Sequence, residues 1–464
     1  MNKTTVLVSL TAGLALAALA LGLPRLAGPT HPASPVPPAR VSTGSLTMTS
    51  RLSHPYITPG STDLFVTVDL TGQEVPGARR TPVNLALVID RSGSMSGYKL
   101  QQAKQAAYQL VGMLGPEDRL ALVHYGSDVK SLPALAATPD NRQKMTRFID
   151  TIWDDGGTNI GAGLQEGRAS VVAARDHYAV NRIILVSDGQ PTEGITEEDG
   201  LTQLVRSIRA EGISVSSLGV GTDFNENLMQ RLAEYGSGAY GFIEDAGQLA
   251  SIFQKDLRQA TTSVARDVVL SFTLPEGVVL GEVLGYRAHP EGRSVRVPLP
   301  DFSSGQVERV VARLTVRGAQ AGQAVDVSGL TLAYTDLLQE KGVTNTASLS
   351  AMVTQQREEV LARQDKEATV YATRALSAKN MERAAEALRD GRRQEAQGYL
   401  QQNQELFQQA ATVASPAAVA EDLAEQKAVM DDYAQATDGE AVGTAVKRSK
   451  SKAMRGYGKL GSTY

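Results

Sequence analysis

Apolar and polar residues alternate in the first part of the chain, which predicts β-strands. In LFVTVDL (64–70) every second residue is Leu or Val, and Phe, Thr and Asp stand between them. A period of two is typical of a strand with one buried face. The alternation returns after about residue 262, where four more strands are predicted: DVVLSFTL (267–274), RSVRVPL (293–299), VERVVARLTV (307–316) and LTLAY (330–334).

From Val83 the pattern changes to short, almost wholly apolar runs separated by amphipathic stretches. Such runs are typical of strands that are buried on both faces of a parallel sheet. Four are predicted: LALVI (85–89), RLALVHY (119–125), RIILVS (182–187) and ISVSSLGV (213–220). The stretches between them carry apolar residues at helical spacing, as at Leu100, Ala103, Ala107 and Leu110. Helices are predicted near 98–114, 139–152, 160–175, 197–211, 225–235 and 246–259.

These repeated strand–helix units predict an α/β fold over residues 83–258, with a doubly wound, mostly parallel sheet. The flanking segments, 43–80 and 262–354, are β-rich, and the first is too short to bury a core of its own. We therefore expect the two segments to pair as one β-sandwich into which the α/β domain is inserted.

The last part of the chain is predicted to be helical. Residues 355–437 are rich in Ala, Gln, Glu, Arg and Leu; Gly391 separates two helical runs, and Ser415-Pro416 is a typical helix start. Residues 438–464 have little apolar content and several lysines and arginines, which predicts a disordered basic tail. The alternative for this tail is contact with a polyanion or with anionic lipid.

The first residues resemble an export signal. Lys3 precedes an apolar run that ends before Pro24, so residues 1–23 are predicted to be a signal peptide or an uncleaved signal anchor. Residues 24–42 are rich in Pro, Ala and Ser and predict an extended linker. In either case we expect the bulk of the protein outside the cytoplasm, in the periplasm, at the cell surface or anchored to the membrane.

Composition excludes several classes of function. The chain has 464 residues, enough for several domains, and its net charge of −4 gives no general affinity for nucleic acid. It contains no cysteine, which excludes disulfides, thiolate metal sites and cysteine nucleophiles. No two of its five histidines have the spacing of an HExxH zinc helix.

Polar side chains follow the predicted strands at one edge of the α/β sheet. Asp90, Ser92 and Ser94 come directly after the first apolar strand, and Asp188 ends another. Thr158 lies in a glycine-rich loop before a predicted helix. Ligands bind at the carboxyl edge of open α/β sheets, so we expect these three loops to meet there.

The five side chains all present hard oxygen atoms. Cations such as Mg²⁺ prefer oxygen ligands and keep several waters, which suits a sparse site with only two carboxylates. Mn²⁺ and Ca²⁺ remain alternatives. A cation held by three hydroxyls is incompletely neutralised and favours an anionic ligand from elsewhere.

These residues resemble the metal-ion-dependent adhesion site of von Willebrand factor type A domains and integrin inserted domains. DRSGS, beginning at Asp90, matches the family's D-x-S-x-S; TNIGAGL, beginning at Thr158, matches T-x-x-x-x-G-L; and SDG surrounds Asp188. The resemblance covers residues 83 to about 258 and extends to exported bacterial proteins with this domain. It implies direct metal ligation by Ser92, Ser94 and Thr158, and ligation partly through water by the two aspartates. A partner's Asp or Glu would complete the coordination.

Other chemistries are not supported by the same residues. A serine hydrolase needs G-x-S-x-G, an EF-hand needs further acidic residues, and no phosphate-binding G-x-x-x-x-G-K-[ST] is present. We therefore expect no enzyme but a metal-dependent protein-binding module for adhesion or complex assembly in the cell envelope. Asp155 and Glu193, beside the site in sequence, are candidate partner contacts. The alternatives are an envelope-assembly component whose metal site only stabilises the fold, and a channel-associated or chelatase-like subunit.

Overall fold

A computed structural model describes residues 37–75, 81–188, 190–221, 224–243 and 249–460. The predicted signal segment, 1–23, and most of the predicted linker lie outside these residues. No helix within the described ranges is long and apolar enough to span a membrane. The first strands are β1 (Ala39–Ser42), β2 (Leu46–Leu52), β3 (Tyr56–Ile57) and β4 (Gly60–Gly72).

The α/β domain follows with a six-stranded sheet in the order β10-β9-β8-β5-β6-β7. All neighbours are parallel except β6 and β7. Helices cover both faces, so the predicted doubly wound, mostly parallel sheet is confirmed. Its elements are β5 (Val83–Asp90), α1 (Tyr98–Met113), β6 (Arg119–Tyr125), β7 (Val129–Ala136), α2 (Pro139–Asp150), α3 (Ile160–Val172), β8 (Val180–Ser187), α4 (Glu198–Ala210), β9 (Ser214–Val220), α5 (Glu226–Tyr235), β10 (Ser237–Ile243) and α6 (Leu249–Thr261).

The chain then returns to β-structure and completes a two-sheet sandwich. β16 pairs with β4 from Val307 opposite Thr71 to Ala319 opposite Gly60, so strands from before and after the α/β domain share one sheet. That sheet has the order β1-β2-β4-β16-β12, and the facing sheet has the order β13-β14-β11-β17-β18-β3. The returning strands are β11 (Ser263–Thr273), β12 (Val278–Leu284), β13 (His289–Glu291), β14 (Ser294–Pro298), β15 (Phe302–Ser303), β16 (Val307–Ala319), β17 (Ala324–Asp336) and β18 (Lys341–Val353).

The sandwich core is apolar, and alternate residues of its strands point into it. Leu64, Val66, Val68 and Leu70 of β4 are fully buried, as the period of two predicts, but Phe65 between them is buried too, because the helical bundle covers the other face. The insertion of the α/β domain into a sandwich is thereby confirmed. β1 lies within the segment predicted to be a linker, where it pairs with β2.

A helical bundle covers the outer face of the first sheet. Phe65, Leu284 and Val311 of that sheet belong to the same buried cluster as Ala378 and Met381 of the bundle. The predicted C-terminal helical region is confirmed. Its helices are α7 (Arg357–Ala362), α8 (Lys366–Arg389), α9 (Arg393–Val413), α10 (Ala420–Gln435) and α11 (Gly439–Gly456).

The prediction of a disordered basic tail over 438–464 is wrong for the residues that the structure describes. Residues 439–456 form α11, which packs along α8. Lys450 and Lys459 are buried because carboxylates of the α/β domain pair with them: Lys450 Nζ lies 3.2 Å from Glu226, and Lys459 Nζ lies 2.7 Å from Glu234. These pairs replace the hydration that a tail would retain.

Candidate functional site

Asp90 ends β5, whose neighbours on either side are β8 and β6. Its side chain is buried, and its carboxylate accepts hydrogen bonds from the Ser92 backbone N–H (2.8 Å) and the Ser187 hydroxyl (2.6 Å). Burial raises the pKa of Asp90, and these hydrogen bonds oppose the rise. The bond to Ser92 folds the chain back at the strand end and begins the turn that carries both serines.

Ser92, Ser94 and Asp188 are joined by hydrogen bonds. The two hydroxyl oxygens lie 3.2 Å apart, and Ser94 donates to Asp188 Oδ1 at 2.8 Å. Asp188 directly follows β8, and its side chain is fully buried. The structure therefore brings four of the five predicted metal ligands into one hydrogen-bonded group.

Thr158, the fifth predicted ligand, belongs to a loop that is bonded to the segment carrying the serines. The Asp155 N–H donates to the Arg91 carbonyl at 2.8 Å, and the Gly93 N–H donates to the Gly156 carbonyl at 3.3 Å. Among the described residues, the hydrogen bonds of Thr158 use its backbone and leave its hydroxyl unbonded; its N–H, for example, donates to Thr192 Oγ1 at 2.8 Å. The loop thus lies against the serine turn with a free hydroxyl.

The Thr158 loop is held in place by a close contact of the helix that follows it. Asn159 caps α3 by accepting from the Ala162 N–H at 3.0 Å. One turn later Gly163 lies against the buried ring of Tyr125, and a Cβ at Gly163 would lie 2.6 Å from that ring. Only glycine allows α3 to approach β6 this closely, which explains the glycine before Leu164 in the motif that begins at Thr158.

The donor set fits a hard divalent cation. Two buried carboxylates and three hydroxyls meet at one sheet edge, and hard cations take such oxygens. The described residues contain no group of three or more His, Cys, Asp or Glu arranged to hold a metal. A cation at this edge would therefore depend on the hydroxyls as well as on Asp90 and Asp188.

Lys99 is a member of the site that the sequence reasoning missed. It lies in the first turn of α1, where its ammonium forms an ion pair with Asp188 and lies 3.4 Å from the Ser94 carbonyl oxygen. Its aliphatic part crosses Gly221, where a Cβ would come within 2.9 Å of Lys99 Cε. The ammonium supplies the buried carboxylate of Asp188 with a compensating positive charge.

The two candidate partner contacts lie at the rim. Asp155 has 80% of its side chain exposed, and its carboxylate lies 3.7 Å from the buried Arg91. Glu193 accepts a hydrogen bond from Ser127 at 2.6 Å, and its backbone N–H lies 3.3 Å from the Thr158 carbonyl oxygen. Both acids therefore flank the Thr158 loop outside the buried group.

Comparisons with known proteins agree with the fold of the α/β domain. The family profile of the von Willebrand factor type A domain matches residues 84–255. The uncharacterized protein YfbK of Escherichia coli is 29% identical over 265 residues, which cover 54% of this chain and 44% of that protein. Human inter-alpha-trypsin inhibitor heavy chain H2 is 27% identical over 266 residues, covering 56% of this chain and 28% of the relative. The match thus spans less than half the length of these curated relatives.

Two solved structures share the fold over most of the chain. A von Willebrand factor type A protein from Catenulispora acidiphila has a TM-score of 0.69 at 16% identity and covers 89% of this chain and 97% of its own. The ArnB paralog VWA2 from Sulfolobus acidocaldarius has a TM-score of 0.57 at 18% identity, with coverages of 89% and 99%. At these identities the likeness concerns the fold alone. Because the two matches each cover 89% of this chain, the shared fold includes residues outside the α/β domain.

Proposed function

Because residues 84–255 form a von Willebrand factor type A domain, a protein-interaction module, we propose that the chain binds an acidic protein partner through a divalent cation. The observation that carries the proposal is the hydrogen-bonded group of Asp90, Ser92, Ser94 and Asp188, with the free Thr158 hydroxyl beside it. Such a cation would supply the positive charge that attracts a partner's Asp or Glu carboxylate.

Each residue of the site has a distinct role in this proposal. Ser92, Ser94 and Thr158 would hold the cation directly. Asp188 orients the Ser94 hydroxyl, and Asp90 fixes the turn through the Ser92 N–H. Both aspartates would neutralise part of the cation's charge, partly through water molecules bound to the cation. Mg²⁺ suits this sparse, hydroxyl-rich set best, and Mn²⁺ and Ca²⁺ serve as comparison ions.

Thr158→Ala tests metal binding with little risk to the fold, since the hydroxyl it removes has no hydrogen bond among the described residues. We expect calorimetric titration with MgCl₂ to show one site in the full chain and at least tenfold weaker binding in the variant. Thr151→Ala is the matched control, because Thr151 is an exposed residue at the end of α2. Equal affinity of the wild type and Thr158→Ala, or no binding by either, would refute the proposed site.

Partner binding is tested separately, on an envelope extract with and without chelator. The expected result is retention of one or a few proteins by the wild type in Mg²⁺, and their loss with chelator or with Thr158→Ala. If the same proteins are retained with chelator and by Thr158→Ala, the result favours the assembly alternative, in which the metal only stabilises the fold. The extract is the appropriate source because residues 1–23 predict export.

A further inference from the structure

A cavity of about 850 Å³ lies at the end of the α/β domain that is opposite the serine turn. There α4 and α5 end and β10 begins, which marks the amino edge of the parallel sheet. Strand β11 of the sandwich and helix α11 of the bundle complete its walls. We call it the junction cavity, because all three parts of the molecule line it.

The junction cavity has an apolar interior. Tyr240, Val268, Leu299 and Met454 line it and are all nearly fully buried. Its volume lies within the range of about 300–1,000 Å³ that is typical of small-molecule sites, which often lie between domains. An apolar body of small-molecule size therefore fits the space.

Positive charge is concentrated at one side of the cavity. The ring of Tyr235 lies between two guanidinium groups, that of Arg206 at 4.1 Å from the ring centre and that of Arg287 at 3.9 Å. Arg287 and the buried Lys459 share a single carboxylate, Glu234, at 3.2 and 2.7 Å. No carboxylate among the described residues pairs with Arg206. Among the described residues, the charge of Arg206 beside Tyr235 is therefore not balanced by an ion pair, and Arg287 shares its carboxylate with Lys459.

The opposite side of the cavity has no such excess. Arg209 lies between Asp267 at 3.0 Å and Asp301 at 3.1 Å, and Asp267 also pairs with Arg266 at 3.6 Å, so two arginines and two aspartates balance there.

Burial opposes the ionisation of Glu234, but Lys459, Gln230 and Arg287 together outweigh it and lower the pKa of that carboxyl. Glu234 therefore keeps its negative charge and stays paired with Lys459 and Arg287, which leaves Arg206 as the positive charge at their side without an ion pair among the described residues.

We propose that the junction cavity binds a small amphipathic anion with a carboxylate or phosphate group on an apolar body. The anionic group lies against Arg206 and Arg287, where the charge of Arg206 has no ion pair among the described residues. The apolar body contacts Tyr240 and Leu299. This site is independent of the metal site and lies at the other end of the sheet.

The test uses 8-anilinonaphthalene-1-sulfonate, an anionic aromatic probe, in fluorescence titrations of the full chain. We expect one saturable site that Arg206→Gln weakens about tenfold, the size of one charge-assisted contact. Arg206 is exposed, so this variant is expected to fold. Arg392→Gln, at an exposed arginine that pairs with Asp390 in the turn between α8 and α9, is the matched control.

Two further measurements separate charge from apolar contact. Val269→Trp, at a half-buried position of the lining, narrows the cavity and should weaken the binding of both the anionic probe and its neutral analogue in a chain whose circular dichroism is unchanged. The neutral analogue N-phenyl-1-naphthylamine should bind wild type and Arg206→Gln equally.

Competition then distinguishes the anionic groups. Decanoate or decyl phosphate should displace the probe, and the better competitor identifies the group. Inorganic phosphate should not, because it has no apolar body. No saturable binding, or binding that Arg206→Gln and Val269→Trp leave unchanged, overturns the proposal, as does displacement by inorganic phosphate alone.

Discussion

Lys99 and Asp188 show at the scale of single residues how the candidate site balances charge. Asp188 is fully buried, and a buried carboxylate is costly unless a cation faces it. Lys99 supplies that cation from α1. A divalent ion must therefore compete with the ammonium for Asp188.

Lys99→Met is expected to raise the affinity for Mg²⁺ at least tenfold, because it removes the competing charge and keeps the aliphatic contact over Gly221. Calorimetric titration of the full chain measures the change. Lys144→Met, at an exposed lysine of α2, should leave the affinity unaltered. The competition is disproved if Lys99→Met binds Mg²⁺ no more tightly than the wild type.

His124, which is buried, and His54, which is partly buried, predict acid sensitivity. Burial lowers the pKa of His54 and of His124 to about 4. Between pH 6.5 and 4 the unfolded chain therefore binds protons at these rings while the folded chain does not, so stability falls as the pH falls. The expected loss is on the order of 3 kcal/mol for each ring.

Thermal unfolding between pH 7 and 4.5 checks this sensitivity. The double variant His54→Gln/His124→Gln should show a smaller decrease of the melting temperature than the wild type. His177→Gln, at an exposed position, should retain the wild-type decrease. If the melting temperatures of the wild type and the double variant fall equally with pH, other titratable groups cause the loss of stability in acid.

At the scale of elements, the packing of α3 on β6 depends on one missing side chain. The Gly163 position touches the ring of Tyr125, whereas Gly398 in α9 has open space around it. Gly163→Ala is therefore expected to destabilise the fold by about 1–3 kcal/mol through overpacking. Gly398→Ala should stabilise it by about 0.5–1 kcal/mol through helix propensity.

Urea denaturation of both glycine variants measures the difference. The opposite signs matter more than the magnitudes, because both substitutions add the same methyl group to a helix. Destabilisation by Gly398→Ala, or a neutral effect of Gly163→Ala, contradicts the packing that the structure describes.

The elements that could be predicted from sequence are those with a regular pattern of apolar residues. The four apolar strands of the parallel sheet and the helices between them lie within a few residues of the predicted positions. β7, β10 and β18 were missed, because Pro133 interrupts the first, glycines weaken the second, and Asn345 occupies a buried position of the third.

The position of the candidate site was predictable because its aspartates follow strands that are themselves easy to predict. Asp90 and Asp188 follow apolar strands, and strand ends in a parallel sheet meet at one edge. Lys99 was not predictable, since a lysine in the first turn of a helix is usually solvated. The prediction of a disordered basic tail was wrong for a similar reason. The carboxylates that pair with Lys450 and Lys459 lie more than 200 positions earlier in the sequence, so nothing near the lysines indicates their burial.

At the scale of the whole molecule, ion pairs connect the bundle to the α/β domain. Glu226 at the start of α5 pairs with Lys450 of α11 at 3.2 Å and with Arg389 of α8. Lys450 also donates to Asn227 at 2.6 Å. These contacts cross between parts that are far apart in sequence.

Lys450→Met is expected to destabilise the protein by about 2 kcal/mol, since it leaves a buried carboxylate with one cation instead of two. Lys452→Met, two residues along the same helix and less buried, should change stability by no more than about 0.5 kcal/mol. Chemical denaturation of the full chain compares them. Similar values for the two variants would mean that α11 packs without this pair.

The insertion of the α/β domain has a mechanical consequence. The domain's two ends lie side by side, with the Thr81 N–H bonded to the Thr261 carbonyl at 3.0 Å, and Asp90 is about 23 Å away along β5. A partner that pulls on the end of the domain that carries Asp90 would therefore load the connections at Thr81 and Thr261 at the same time. On the C-terminal side such a pull reaches β11 almost directly, because α6 ends at Thr261 and β11 begins at Ser263, and the β11–β17 hydrogen bonds resist it there.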